Sequence, residues 1–234
     1  MKSRTVIFII ALVIFADQAL KIWVKTHYNL NDSHNVIGSG FKLYFVENPG
    51  MAYGLKLFKG EAGKLVLSLF RLGAVIFGVW YLRRIIQHKY HKGFIFCAAL
   101  IYAGALGNLI DSTFYGVLFD KGMLYNPQLN DYMNYEGIAT FTSKKGYNAV
   151  FYGNVVDMLY FPVIKSRFPS WFPFWGGQDF EFFRPIFNLA DAAISTGVIS
   201  ILLFQKRFFK HRKNNEHHPV VETAAMVNDE VHVS

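Results

Sequence analysis

The sequence predicts an all-α integral membrane protein, four transmembrane helices with a small extracytoplasmic β-cradle. Three observations predict it. Apolar runs at about 5–23, 65–82, 94–110 and 185–204 are each long enough to cross a bilayer. Hydrophobic residues make up 53% of the 234 positions and charged residues only 17%, too apolar a balance for an ordinary soluble domain. The basic residues gather in short clusters at the start, after the second run and after the fourth, which puts both termini on the cytoplasmic side. Residues 1–213 then form one membrane domain, and 214–234, polar and without periodicity, form a disordered cytoplasmic tail.

The same features exclude other classes. A net charge of +8 suggests nucleic acid when it forms a stripe, but here it flanks apolar runs and reads as a topology signal. The single cysteine, Cys97, lies inside an apolar run and rules out an internal disulfide framework. His88 and His91 lack a third ligand nearby and belong to a solvated basic loop, so neither metal nor cofactor is expected.

The first span, 5–23, follows Lys2 and Arg4. No small-x-small cleavage site succeeds it, and Asp17-Gln18 prolongs it, which favours a retained helix over a cleaved leader. Asp17 and Lys21 are four apart, so a helix puts them on one face, as an end pair or as support for a site. Phe41 to Glu47 is aromatic and β-branched, a strand signal, and Glu47-Asn48-Pro49-Gly50-Met51-Ala52-Tyr53-Gly54 carries turn signals. Together they outline a cradle at about 36–58. The second span, 65–82, is interrupted only by Arg71 and ends in a dense basic loop. The third, 94–110, contains Gly104, Gly107 and Asn108, and Asp111 and Ser112 are expected to close it. An extracytoplasmic insertion of about 113–184 follows. It is polar and either ordered or mobile to about 152, and crowded with Phe, Trp and Pro over 160–183, which suits the membrane surface. The fourth span opens at Pro185 and ends in a second basic anchor.

Asp191 sits near the start of that last run, where a carboxylate is costly unless it faces protein or water, and such a residue is a functional-site hypothesis by default. Its proposed partner is Asp157. Topology gathers Asp17, the turn after Glu47, Asn108, Asp111, Asp157 and Asp191 at the outer ends of the spans. Two carboxylates a few ångström apart do not both ionise cheaply, so one keeps its proton as general acid while the other serves as base toward a water. The structural alternatives are a buried Asp191 paired to Lys21 and a loop Asp157 capping a helix. Asn108 could equally serve helix packing, and Gly104 and Gly107 read mainly as packing residues.

Five stretches, in order, resemble the bacterial lipoprotein signal peptidases, or type II signal peptidases. They are Asp17-Gln18 with Lys21; Glu47-Asn48-Pro49-Gly50-Met51-Ala52-Tyr53-Gly54; Gly104-Ala105-Leu106-Gly107-Asn108-Leu109-Ile110-Asp111; Gly153-Asn154-Val155-Val156-Asp157; and Phe187-Asn188-Leu189-Ala190-Asp191. The resemblance implies a membrane aspartic endopeptidase of the bacterial cytoplasmic (inner) membrane that cleaves diacylglyceryl-modified prolipoproteins before the lipidated cysteine. It implies a catalytic pair at Asp157 and Asp191, substrate contacts at Asn48, Gly50, Asn108, Asn188 and Ala190, and support from Asp17, Lys21, Gly104 and Asp111. Prolipoprotein and membrane lipid are the expected partners, nucleic acid is not one, and a monomer is expected. Two departures stand out: Ser112 occupies a position where the family usually has Arg, and the stretches before and between the two aspartates are long.

Two other classes compete. A proton- or ion-coupled transporter would use Asp17, Asp111 and Asp191 as a relay, but the carboxylates gather on one side and mark no path across. A scaffold would use the polar residues only to hold helices together. The stretch Trp171-Phe172-Pro173-Phe174-Trp175 is read as an interfacial anchor that could also cover the site as a flap.

Overall fold

A computed structural model describes residues 1–38, 40–50, 60–162, 164–167, 169, 171, 177, 179–182 and 186–213. Four helices are long and apolar enough to span a membrane: α1 (Ser3–His27), α2 (Gly60–Gln87), α3 (Lys92–Leu118) and α4 (Leu189–Lys213). Their outward faces carry exposed Ile7, Phe8, Phe15, Phe70, Phe77, Leu202 and Leu203. Large apolar side chains over so much of a surface suit lipid rather than water. α3 packs against all three other helices and is the most buried of them.

A four-stranded antiparallel sheet covers one end of the bundle. Its order is β1 (Ser33–Ile37), β2 (Phe41–Asn48), β5 (Val155–Tyr160) and β8 (Ile186–Phe187). Strand β2 matches the expected aromatic run. Strand β5 is buried along its whole length and pairs Val46 with Asp157 and Asn48 with Val155, bringing two of the sequence motifs side by side. A register shift between Leu43 and Val46 bends β2 at that point.

Two apolar clusters hold the ends of the bundle. One joins Val6, Leu82, Ile85, Phe94, Ile95, Ala98 and Ala99. The other joins Val24 of α1, Phe45 of β2, Tyr115 and Phe119 at the end of α3, and Val156 and Met158 of β5. Between them lies a buried polar layer that includes Asp17, Lys21, Asn108 and Asp111.

Several boundaries differ from the sequence expectation. Helix α3 does not close at Asp111 and Ser112 but continues to Leu118. The reason is that the insertion folds back onto it: the Asn148, Phe151 and Gly153 N–H groups donate to the Gly116, Thr113 and Ser112 carbonyls at 2.8, 3.2 and 2.9 Å. Helix α4 begins at Leu189 rather than 185, because Ile186 and Phe187 pair with Tyr160 and Leu159 as β8. Of the two readings of 113–152 the ordered one holds, with a hairpin of β3 (Leu124–Asn126) and β4 (Asp131–Met133). Farther on, β6 (Ile164–Arg167) pairs with β7 (Asp179–Phe182). Met51 to Gly54, Phe172 to Trp175, Pro185 and the tail 214–234 lie outside the described residues.

Candidate active site

The start of α4 is built by a reciprocal cap. Asn188, the residue before the helix, accepts the Asp191 N–H on Oδ1 at 2.8 Å, while Asp191 Oδ2 accepts the Asn188 N–H at 3.5 Å. An Asn-x-x-Asp sequence suits this, because each side chain satisfies an N–H group that the first turn leaves without a partner. The cap fixes Asp191 in the first turn, where the helix end favours negative charge.

The same Asn188 reaches the other carboxylate. Its Nδ2 donates to Asp157 Oδ1 at 2.6 Å and to the Val156 carbonyl at 3.3 Å. One fully buried amide therefore links the Asp157 carboxylate to the Asp191 main chain. Asn108 Nδ2 donates to Asp191 Oδ1 at 2.7 Å, and Asn48 Nδ2 lies 3.4 Å from Asp157 Oδ2. Asn48 Oδ1 also accepts the Gly50 N–H at 2.9 Å, and Gly50 has φ +109°, a conformation that favours glycine. Asp157 is 4% exposed, on a strand rather than in a loop or at a helix cap. Burial pushes its carboxyl from 3.8 up to about 7; the charge of Asp191 adds to the rise, and Lys21, Asn188 and Asn48 oppose it.

Behind the pair lies the polar layer. Lys21 Nζ is 2.8 Å from Asp17 Oδ2, 2.8 Å from Asp111 Oδ2 and 2.9 Å from Asn108 Oδ1. Lys21 therefore pairs with Asp17 and Asp111, not with Asp191, and its pair with Asp17 is fully buried rather than set at an exposed helix end. Because Asn108 Oδ1 faces Lys21 and Asn188 Nδ2, its Nδ2 is left to point at Asp191. The two supporting carboxylates also grip the backbone beside the pair. Asp17 Oδ1 accepts the Ala190 N–H at 2.9 Å, and Asp111 Oδ2 accepts the Val156 N–H at 3.3 Å. Each holds the residue just before one aspartate. Gln18 joins the layer by donating to Asp111 Oδ1 at 2.8 Å, and Tyr115 Oη donates to Gln18 Oε1 at 3.1 Å.

Gly104 lets this assembly close. A Cβ there would lie 2.2 Å from the Ala190 carbonyl oxygen, so only glycine lets α3 approach the first turn of α4. Gly104 and Ala190 thus act here as packing surfaces.

Sequence reasoning gave no role to a second buried cluster. Glu47 is ion-paired with Lys25 and accepts from Met123 N–H at 2.9 Å, Tyr135 Oη at 3.0 Å and Asn154 Nδ2 at 2.7 Å. Lys25 also lies 5.0 to 5.3 Å from the ring centres of Phe119, Tyr135 and Tyr147. Lys64 of α2 donates to Asn154 Oδ1. This cluster ties the insertion to the strand that carries Asn48. Arg71, from α2, was likewise given no partner by the sequence; its Nη1 donates to Ser112 Oγ at 2.7 Å. The signal for it was a lone charge inside an apolar span. Among the described residues no group of three or more His, Cys, Asp or Glu side chains converges as metal ligands would. Trp171 is 77% exposed, and the rest of the suggested flap core, 172–175, is outside the described residues.

Comparisons with known proteins identify the family and the fold. A family model described as signal peptidase (SPase) II matches residues 9–207. The chain is 44% identical over 207 residues to a lipoprotein signal peptidase of Porphyromonas gingivalis, covering 88% of this chain and 84% of that protein. It is 34% identical over 197 residues to one of Amoebophilus asiaticus, covering 82% and 73%. A bacterial membrane enzyme solved by the in meso method shares the fold, with a TM-score of 0.56, 22% identity and coverage of 94% of this chain and 96% of that one. A match over most of the chain, joined to relatives this similar, places the protein in a family of proteases: this chain belongs to the signal peptidase II family.

Proposed function

We propose that the protein is an aspartic endopeptidase that removes the signal peptide from diacylglyceryl-modified prolipoproteins, cutting before the lipidated cysteine, with Asp157 and Asp191 as its catalytic pair. The observation that carries the reading is Asn188, whose side-chain amide donates to the Asp157 carboxylate and accepts the Asp191 main-chain N–H, with Asp157 buried and holding its proton to about pH 7. Roles follow from position. Asp191, at a helix start and bonded by Asn108, is the charged member and takes a proton from water. As the water oxygen bonds to the scissile carbonyl carbon, the Asp157 proton passes to the carbonyl oxygen. Collapse breaks the C–N bond: the proton held by Asp191 passes to the leaving cysteine nitrogen, and one hydroxyl proton returns to Asp157. Nothing in this cycle draws on a cofactor.

Asn48 and Asn108 are substrate contacts in this reading, and Asp17, Lys21 and Asp111 keep the backbone beside the pair in place. The basic clusters orient both termini to the cytoplasm and the pair to the extracytoplasmic face, and a reporter fused after Lys213 reads that orientation. The protein acts as a monomer in this reading. The test is incubation of the detergent-purified protein with a synthetic signal peptide bearing a diacylglyceryl cysteine, with products weighed by mass spectrometry. The expected products are the free signal peptide and a fragment beginning at the lipidated cysteine, formed equally in EDTA. Cleavage elsewhere, or none, contradicts the reading.

A further inference from the structure

The cations around the site have different fates. Lys21 is paired with two carboxylates, Lys25 with Glu47, and Lys64 is bonded to Asn154. Arg71 differs from all three. It lies eleven residues into α2, roughly 16 Å along the axis at 1.5 Å per residue. The face that leads to it is polar and inward: Lys64, Ser68 and Arg71 recur at helical spacing and bond, in turn, to Asn154, the Phe151 carbonyl and Ser112. Among the described residues Arg71 has no carboxylate within 4 Å, and Ser112 Oγ is its hydrogen-bond partner. The Ser112 hydroxyl gives its own hydrogen to the Asn108 carbonyl at 2.9 Å, so it can only accept from the guanidinium. Asp111, Asp191 and Asp157 are the carboxylates whose charge acts on Arg71. A half-buried guanidinium is thus anchored by one N–H to Ser112, one helical turn from the Asn108 that bonds Asp191, with most of its five donors uncommitted among the described residues.

A cation at this depth on a spanning helix is expensive to keep without oxygen partners. The substrate supplies them. A signal peptide in the membrane bonds its carbonyls within its own helix, but the scissile bond must be extended to meet two carboxylates. Unwinding frees main-chain carbonyls in a medium with little water, at a penalty of several kcal/mol each unless donors wait for them. A planar fork that can take two oxygens meets that need better than an ammonium.

We propose that Arg71, held by Ser112, is a substrate-binding residue whose guanidinium hydrogen-bonds main-chain carbonyl oxygens of the signal peptide beside the scissile bond. This rests on the catalytic-pair reading only for where the scissile bond lies. A guanidinium delivered from α2 also accounts for the serine at position 112, next to Asp111.

The test measures binding apart from turnover. Affinity for the diacylglyceryl-cysteine peptide and for its unlipidated counterpart is compared in full-length D191N and D191N/R71A, in detergent. R71A is expected to weaken both peptides about 10- to 100-fold, the range for hydrogen bonds to a charged group. R71K, which keeps the charge and protects folding, is expected to weaken both about tenfold because it lacks the fork. In the otherwise unaltered enzyme R71K should raise KM at least as much as it lowers kcat. Binding within twofold of D191N in either variant overturns the proposal. So does a loss confined to the lipidated peptide, which would assign Arg71 to the lipid. Cleavage by D191N itself would instead sink the catalytic-pair reading and leave the binding comparison standing.

Discussion

Asp157 shows what a buried carboxylate does to the molecule that keeps it. Its carboxyl binds a proton more tightly in the folded state, about 7 against 3.8. Between those values the folded chain holds more protons than the unfolded one, so stability falls as pH rises across this window and the full penalty is present above it. The shift corresponds to a few kcal/mol. Asp157→Asn cannot ionise and escapes the penalty. Thermal unfolding in detergent should therefore find D157N more stable than the unaltered protein at pH 8, with the advantage shrinking as pH falls toward 4; an advantage that grows toward low pH contradicts the assignment. In the proposed cycle catalysis needs the same proton, so kcat should decline as pH passes about 7. On that reading stability and activity are in opposition at this buried carboxylate.

At the scale of elements, the crossing of α3 and α4 sets the geometry. A side chain at Gly104 would drive into the Ala190 carbonyl, one residue from Asp191 and bonded through its own N–H to Asp17. Gly104→Val should lower stability by about 1–3 kcal/mol, the usual scale of overpacking, and reduce kcat more than tenfold by moving the first turn of α4. A melting curve and a rate near those of the unaltered protein would show that the crossing has slack. The helices themselves were legible because long apolar runs announce them, and β2 because Phe41 to Glu47 alternates in a β-branched, aromatic context. The ends were less so. Asp111 and Ser112 ended an apolar run in sequence, yet they turn inward to Lys21, Gln18 and Arg71, and the helix carries on beneath the folded-back insertion. Ile186 and Phe187 looked like the first turn of a span, but a free edge of β5 claimed them before Asn188 could start the helix. In both places long-range pairing, invisible to any local pattern, set the boundary.

Across the whole molecule, five short motifs far apart in sequence meet around Asp157, Asp191 and the polar layer behind them, and their order made the meeting readable in advance. The partners inside the layer were not readable. Lys21 was read as an end pair with Asp17 or as support for the site, with no sign that Asp111 and Asn108 would complete its shell; Glu47 and Asn154 were quoted in motifs with no sign that the insertion would close over them through Tyr135 and Met123. Such choices depend on which side chains tertiary packing brings within 3 Å. The central claim is that Asp157 and Asp191 act as one unit. It is tested most directly by single-turnover cleavage of the diacylglyceryl-cysteine peptide by D157N, D191N and the double variant, each first shown to be folded. Every one should lose at least a thousandfold in rate, with the double variant no worse than the singles, because residues that act as a unit are not additive. Appreciable turnover by either single variant, or losses that multiply in the double, would contradict it.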